Sequence, residues 1–204
     1  FAHTFTIPGA FVQDDIEITR WLSVSASGRL DHHSEYGTFF SPRLAALFRA
    51  GGWNSRVSVG TGFFGPSALT EETEAAGLTR LSMPTPLVAE KGRSASFDVT
   101  RSAGPLSATA TLFVSRIEDS VRVDRETSYV IRNIDETMNA GVELLGTLRH
   151  EPYALTGTYT YVRARERDAG RDSDVALTPR HSAGMVGMWE KKDVGRVGAE
   201  LYYT

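Results

Sequence analysis

The sequence predicts an all-β fold: an antiparallel transmembrane β-barrel to which this chain contributes about ten strands. Three observations carry that prediction. Apolar and polar side chains alternate with a period of two through nearly every segment, as strands with two unlike faces require. Tight turns near 20, 51–54, 102–105, 150–152 and 191–195 alternate with longer polar connections at 32–37, 65–89, 118–128 and 163–178, the asymmetry of an outer-membrane barrel. All three tryptophans, Trp21, Trp53 and Trp189, sit within or beside a tight turn, where a membrane-interface girdle would place them.

The strands follow in order. Residues 11–19 set Val12, Ile16 and Ile18 against Gln13, Asp15 and Glu17, and residues 22–31 return with Leu22, Val24, Ala26 and Leu30 against serines, Arg29 and Asp31. Residues 38–50 run through Leu44, Ala46 and Phe48 to Gly51-Gly52-Trp53-Asn54. The next strand places Val57, Val59, Thr61 and Phe63 opposite Arg56, Ser58, Gly60 and Gly62. The longest irregular stretch, 65–89, contains one expected helix of about two turns, with Thr70 capping Glu71–Ala76 and Gly77 beyond. Residues 94–101 and 106–115 form the clearest hairpin. The charges from Arg116 to Arg125 suggest a strand that runs past the apolar slab and returns through Tyr129 and Ile131. Val142, Leu144 and Leu148 continue the return, Leu155, Tyr159 and Tyr161 follow the turn at Pro152, and Arg163–Asp174 reads as another charged connection. Residues 181–189 and 197–203 make the last pair.

Composition narrows the function. The 204 residues carry a net charge of −3 with mixed signs, so no basic footprint points to nucleic acid, and no nucleic-acid partner is expected. With no cysteine, disulfides and thiolate chemistry are excluded. No run of about 18 apolar residues offers a transmembrane helix, which leaves a barrel open because its strands are apolar on one face only. The opening Phe1-Ala2-His3-Thr4 has neither a basic nor an apolar signal region, so a signal is expected upstream and the chain reads as a fragment.

Several motifs in this order share one resemblance. Phe11-x-Gln13-Asp14, Ser41-Pro42-Arg43, Gly60-x-Gly62-Phe63-x-x-Pro66 with Leu69-Thr70-Glu71-Glu72, Leu87-x-x-Glu90-Lys91-Gly92 and Asn139-x-Gly141-Val142-Glu143 resemble the β-barrel of TonB-dependent outer-membrane receptors. The resemblance implies a larger barrel of about 22 strands around an N-terminal plug, of which this single incomplete domain, 1–204, would be a part lacking the plug. It further implies the cell outer membrane of a Gram-negative bacterium. There the receptor would capture an iron–siderophore complex, cobalamin or a similar scarce nutrient, a small-molecule or metal-complex ligand, and import it when TonB pulls on the plug. The expected partners are outer-membrane lipid, the plug and, through it, TonB. No enzymatic activity and no cofactor are expected. The rival readings are an ungated porin or another outer-membrane barrel such as an omptin-like protease, and a soluble β-sandwich acting as a binding module.

The loop 65–90 is the expected ligand-contacting segment, with Ser67, Thr70, Glu71, Glu72, Glu74 and Arg80 as its candidates. Other constellations are weaker. Asp31-His32-His33-Ser34-Glu35 brings imidazole and carboxylate together, but neighbours on a strand point to opposite faces, which favours a solvated or interfacial cluster over a metal site. His181 stands alone and reads as structural. Glu71, Glu72 and Glu74 fit the first turn of a helix without a cation. Gly60-x-Gly62-x-x-Gly65 matches a dinucleotide fingerprint in letters only, since Pro66 and a loop follow where a helix is required. No motif aligns a hydrolytic triad.

Overall fold

The computed structural model describes residues 4–67, 81–124 and 129–204. Its fourteen strands are β1 (Gly9–Thr19), β2 (Leu22–His33), β3 (Gly37–Ala50), β4 (Trp53–Phe64), β5 (Leu81–Ser82), β6 (Glu90–Ala103), β7 (Leu106–Glu118), β8 (Val121–Asp124), β9 (Tyr129–Asn133), β10 (Glu136–His150), β11 (Tyr153–Asp168), β12 (Arg171–Asp174), β13 (His181–Lys191) and β14 (Gly195–Tyr203). Ten of them form one path, β1-β2-β3-β4-β6-β7-β10-β11-β13-β14, every pair antiparallel, with β12 beside β11. The remaining three make a small sheet in the order β5-β9-β8. No helix occurs among the described residues.

The register confirms the two faces. One ladder row joins Ala46, Val57, Phe97, Leu112, Val142 and Tyr161 across six strands. Rows beside it carry Leu44, Val59, Ala95, Val114 and Ala140, and Val99, Ala110, Leu144, Tyr159 and Ala183. The opposite face is hydroxylic and charged. Arg56 meets Asp98 at 3.0 Å, Ser58 meets Ser96 at 2.7 Å and Thr100 meets Thr109 at 2.9 Å. A one-residue slip would exchange these faces, so the pattern fixes the register.

The tight turns fall where expected. Gly51 and Gly52 both adopt positive φ, 55° and 80°, as a two-residue hairpin loop demands. Trp53 lies on the apolar face beside this turn with the Arg101 guanidinium 5.1 Å from its ring centre. Trp189 pairs with Tyr153 across β11 and β13 at the same end, and Trp21 stacks on Phe48 with ring centres 6.3 Å apart.

Three expectations need correction at the other end. The strand through 106–123 is broken: β7 stops at Glu118, Asp119 takes a positive φ of 56°, and β8 leaves the main ladder to pair with β9. Residues 163–168 are strand rather than connection, because β11 runs for 16 residues to Asp168 and turns back as β12. Charge there marks a ladder that has left the apolar band, and water solvates its side chains without breaking its backbone bonds. The connection between β2 and β3 shrinks to Ser34–Tyr36. The helix expected at Thr70–Ala76 lies outside the described residues.

Among the described residues, closed packing is confined to this loop-side rim. The buried residues Ala89, Ile131, Ile134 and Ser120 surround the small sheet, while Asp31, His33 and Pro66 lie at the β2–β3 turn and the end of β4.

Candidate functional site at the loop-side rim

The small sheet is tied down by side chains that replace missing ladder bonds. Asn133 Oδ1 accepts from the Val88 amide at 2.9 Å while its Nδ2 donates to the Val88 carbonyl at 3.1 Å, so one side chain pairs with a backbone as a strand would. The same Nδ2 also bonds the Asp119 carbonyl. Where β7 passes into β8 and β9 into β10, Asp119 N donates to Asp135 O at 3.1 Å and Ile134 N to Ser120 O at 2.8 Å. Glu90 Oε1 caps the Val121 amide at 2.5 Å, and Ser120 meets Thr137 at 2.8 Å. The parallel pairing of Leu81 with Tyr129 and Ser82 with Val130 joins the return leg of the long 65–89 connection to this excursion.

An ion network then holds the small sheet against β11. Arg122 donates to Asp124 at 2.7 Å, to Glu166 at 3.0 Å and to Asp168 at 2.8 Å. Arg132 donates to Asp124 at 3.1 Å and to Asp168 through both terminal nitrogens. Glu166 and Asp168 share the face that carries Thr158 and Thr160, so β8 and β9 fold over the polar side of the main sheet. The Arg132 hydrogen bonds bring the Asp168 carboxyl down to about 2, against an opposing effect of burial. Burial also pushes Asp124 up, but the two guanidinium groups outweigh it and leave that carboxyl below its usual range. Hydrogen bonds that stabilise only the ionised form explain both directions.

A second cluster closes the rim beside β2. His33, fully buried, accepts from the amides of Glu35 and Tyr36 through Nδ1 at 3.2 and 3.4 Å and so caps the β2–β3 turn. The Tyr36 hydroxyl donates to the Pro66 carbonyl at 2.7 Å, and burial raises its pKa. Gly65 lies under both rings, and a Cβ there would come within 2.7 Å of His33 Nε2. That accounts for Gly65, the last position of the glycine pattern, by contact with a protein ring. His32 turns away and bonds Thr38 at 2.9 Å. His181 is not alone: its Nδ1 is hydrogen-bonded to the Tyr159 hydroxyl at 2.8 Å and its ring lies 5.1 Å from that of Tyr161.

Of the expected ligand contacts, Ser67 follows directly on this cluster. Thr70, Glu71, Glu72, Glu74 and Arg80 lie outside the described residues. The residues that organise the described rim, Arg122, Arg132, Asn133, Glu166 and Asp168, were not singled out from the sequence.

A ten-strand two-faced ladder with short turns at one end is the geometry against which the comparisons with known proteins are set. The family model described as TonB dependent receptor-like, beta-barrel matches residues 2–204. The chain belongs to the TonB-dependent receptor family. An iron-regulated outer membrane virulence protein of Vibrio cholerae is 26% identical over 218 residues, covering 95% of this chain and 33% of that protein. The siderophore receptor PirA from Pseudomonas aeruginosa superposes with a TM-score of 0.77 at 18% identity over 98% of this chain and 38% of its own. The FrpB iron transporter from Neisseria meningitidis (F5-1 variant) gives 0.76 at 15%, over 96% and 33%. At these identities the solved structures establish a shared fold, and this chain spans about a third of each relative. Within a TonB-dependent receptor barrel the apolar ladder rows face lipid and the polar rows face the lumen.

Proposed function

We propose that this chain is one part of the barrel domain of an active transporter in the outer membrane of a Gram-negative bacterium. The complete receptor would bind an iron–siderophore complex, cobalamin or similar scarce nutrient at its outer face and import it with TonB coupling through a plug. The observation that carries this reading is the unbroken two-faced ladder, matched along its length to the family. The chain's own part is threefold. The strands between β1 and β14 on the main path pair with a neighbour on each side, the strand-to-strand bonding that lipid requires. Its polar face, with Arg56, Asp98, Thr111 and Glu143, offers a hydrated wall for a plug. Its rim, locked by Arg122 and Arg132, gives the 65–89 connection a fixed base from which Ser67, Thr70, Glu71, Glu72, Glu74 and Arg80 would reach a ligand. The relatives named for iron and siderophores favour a ferric chelate.

Deleting the full-length gene and measuring uptake of labelled ferric siderophores under iron limitation tests the proposal. Uptake of at least one chelate should fall, and restoring the gene should rescue it only in cells with TonB. Rescue that persists without TonB, together with increased diffusion of small solutes, would point instead to an ungated porin.

A further inference from the structure

The ladder is continuous from β1 to β14, but one of its junctions stops short of the rim. β4 pairs with β6 as far as Phe64 and Glu90, β6 with β7 as far as Lys91 and Glu118, and β2 with β3 as far as His33 and Gly37. Between β3 and β4 the pairing ends at Arg43 and Gly60. The outer leg of β3, residues 37–42, is therefore laddered to β2 alone, and the outer leg of β4, residues 61–64, to β6 alone.

The residues at the split explain it. Pro42 has no amide hydrogen to give to a ladder. At Gly60 the strands still touch, since a Cβ there would lie 3.4 Å from the Pro42 carbonyl oxygen, whereas a Cβ on Gly62 would meet nothing within 4 Å. Pairing continued from Arg43 and Gly60 would bring Phe40 opposite Phe63. Instead Phe40 leans toward β2, its ring 3.1 Å from where a Gly28 Cβ would stand, and the ring of Phe39 stacks on Phe63 with centres 4.0 Å and planes 9° apart. A cavity of about 210 Å³ opens between the legs, lined by Phe39, Ser41, Thr61, Gly62 and Phe63 and bounded on the β6 side by Gly92. Phe63 is ten residues along β4 from Trp53. At about 3.3 Å per residue and a tilt of about 40°, the slot stands about 25 Å above the tight turn, at the margin of the apolar band. Water there solvates backbone groups that hydrocarbon would not tolerate unpaired.

Two contacts hold the legs together: the Phe39–Phe63 stack and, farther out along both legs, the bond from the Tyr36 hydroxyl to the Pro66 carbonyl at 2.7 Å. We infer that the outer part of the β2–β3 hairpin is a hinged flap that swings about Pro42 and Gly60 to open and close this slot in the barrel wall. An aromatic stack and a neutral hydrogen bond are each worth about tenfold or less in an opening equilibrium. Continuous ladders hold the flap to β2 and the β4 leg to β6, so the split yields first. Closure also docks Tyr36 on Pro66 and packs His33 over Gly65, which steadies the start of the 65–89 connection; opening releases it.

The test uses the full-length receptor in nonionic detergent, free of other cysteines and carrying Gly62→Cys, a position with room for the side chain. Its thiol is challenged with methyl methanethiosulfonate, small enough for the closed slot, and with a maleimide bearing a bulky fluorophore. The small reagent should react fast and the bulky one slowly, at a rate set by opening. Tyr36→Phe, which removes the hydroxyl without widening the slot, should speed the bulky reagent roughly fivefold. Phe39→Ala should speed it roughly tenfold, and neither change should alter the methyl reagent's rate. Retained heat-modifiable gel mobility verifies that each variant is folded. A bulky reagent that responds to Phe39→Ala but not to Tyr36→Phe overturns the inference, since that describes a fixed slot made wider. So do equal rates for the two reagents in the parent, equal acceleration of both by Tyr36→Phe, or a thiol that the methyl reagent never reaches.

Discussion

Arg132 is the residue on which the described rim most depends, because it ties β9 to both Asp124 and Asp168. Arg132→Ala should leave the main ladder intact but free the β8–β9 hairpin. The loss should be about 1.5–3 kcal/mol of local docking free energy, the usual range for hydrogen bonds to charged groups. Hydrogen exchange of the amides in 121–124 and 131–133 should accelerate accordingly, while exchange in β7 and β10 stays unchanged; uniform acceleration would contradict a local role. Asp168 sets a pH window of the same kind. Its folded value of about 2 lies below the 3.8 of an unperturbed carboxyl, so its stabilising contribution is present in full above about 4. It fades as pH falls from there through about 2, and limited proteolysis in the hairpin should rise over that interval. Gly141 is a different case. A Cβ there would meet the Tyr161 carbonyl and approach the Phe113 ring to 2.6 Å, so Gly141→Val should cost about 1–3 kcal/mol or prevent assembly, read as loss of the fast-migrating folded band on unheated gels.

At the scale of single strands, the test is which face meets hydrocarbon. Leu112 and Thr111 are neighbours on β7 with opposite directions. Leu112→Arg, in the apolar rows, should lower stability in lipid vesicles by about 2–4 kcal/mol. Thr111→Arg enters between Asp98 and Glu143 and should change it by less than about 0.5 kcal/mol. Equal costs in guanidinium unfolding would show that the faces are misassigned. The long strand β11 explains how its outer part was misread. Arg163, Arg165 and Arg167 alternate with Ala164, Glu166 and Asp168, and the three arginines are exposed while the other three are half-buried. That is a period-two pattern written in charge instead of hydrophobicity. A reading tuned to apolar alternation takes it for a loop.

For the molecule as a whole, the girdle and the rim mark opposite ends of one slab. Trp21, Trp53 and Trp189 all belong to the tight-turn end. In the complete receptor their fluorescence should be quenched more by lipids brominated near the headgroup than near the chain end, and the reverse order would place the slab elsewhere. The tight turns, the two faces and the ten-strand path were legible in the sequence because each depends on local geometry: a period of two, glycine and proline at turns, tryptophan beside them. The docking of β5 on β9, the Asn133 bridge to Val88 and the Arg122–Arg132 network were not. They join residues as much as 48 positions apart, as between Leu81 and Tyr129. Nothing in a local pattern selects which acid a given arginine will meet. The sequence by itself determined which side chains face lipid and which face water, since that choice is made residue by residue along a strand. Only the tertiary structure decided how the outer excursions fold back onto the rim, since that depends on charges brought together by the curvature and pairing of distant strands.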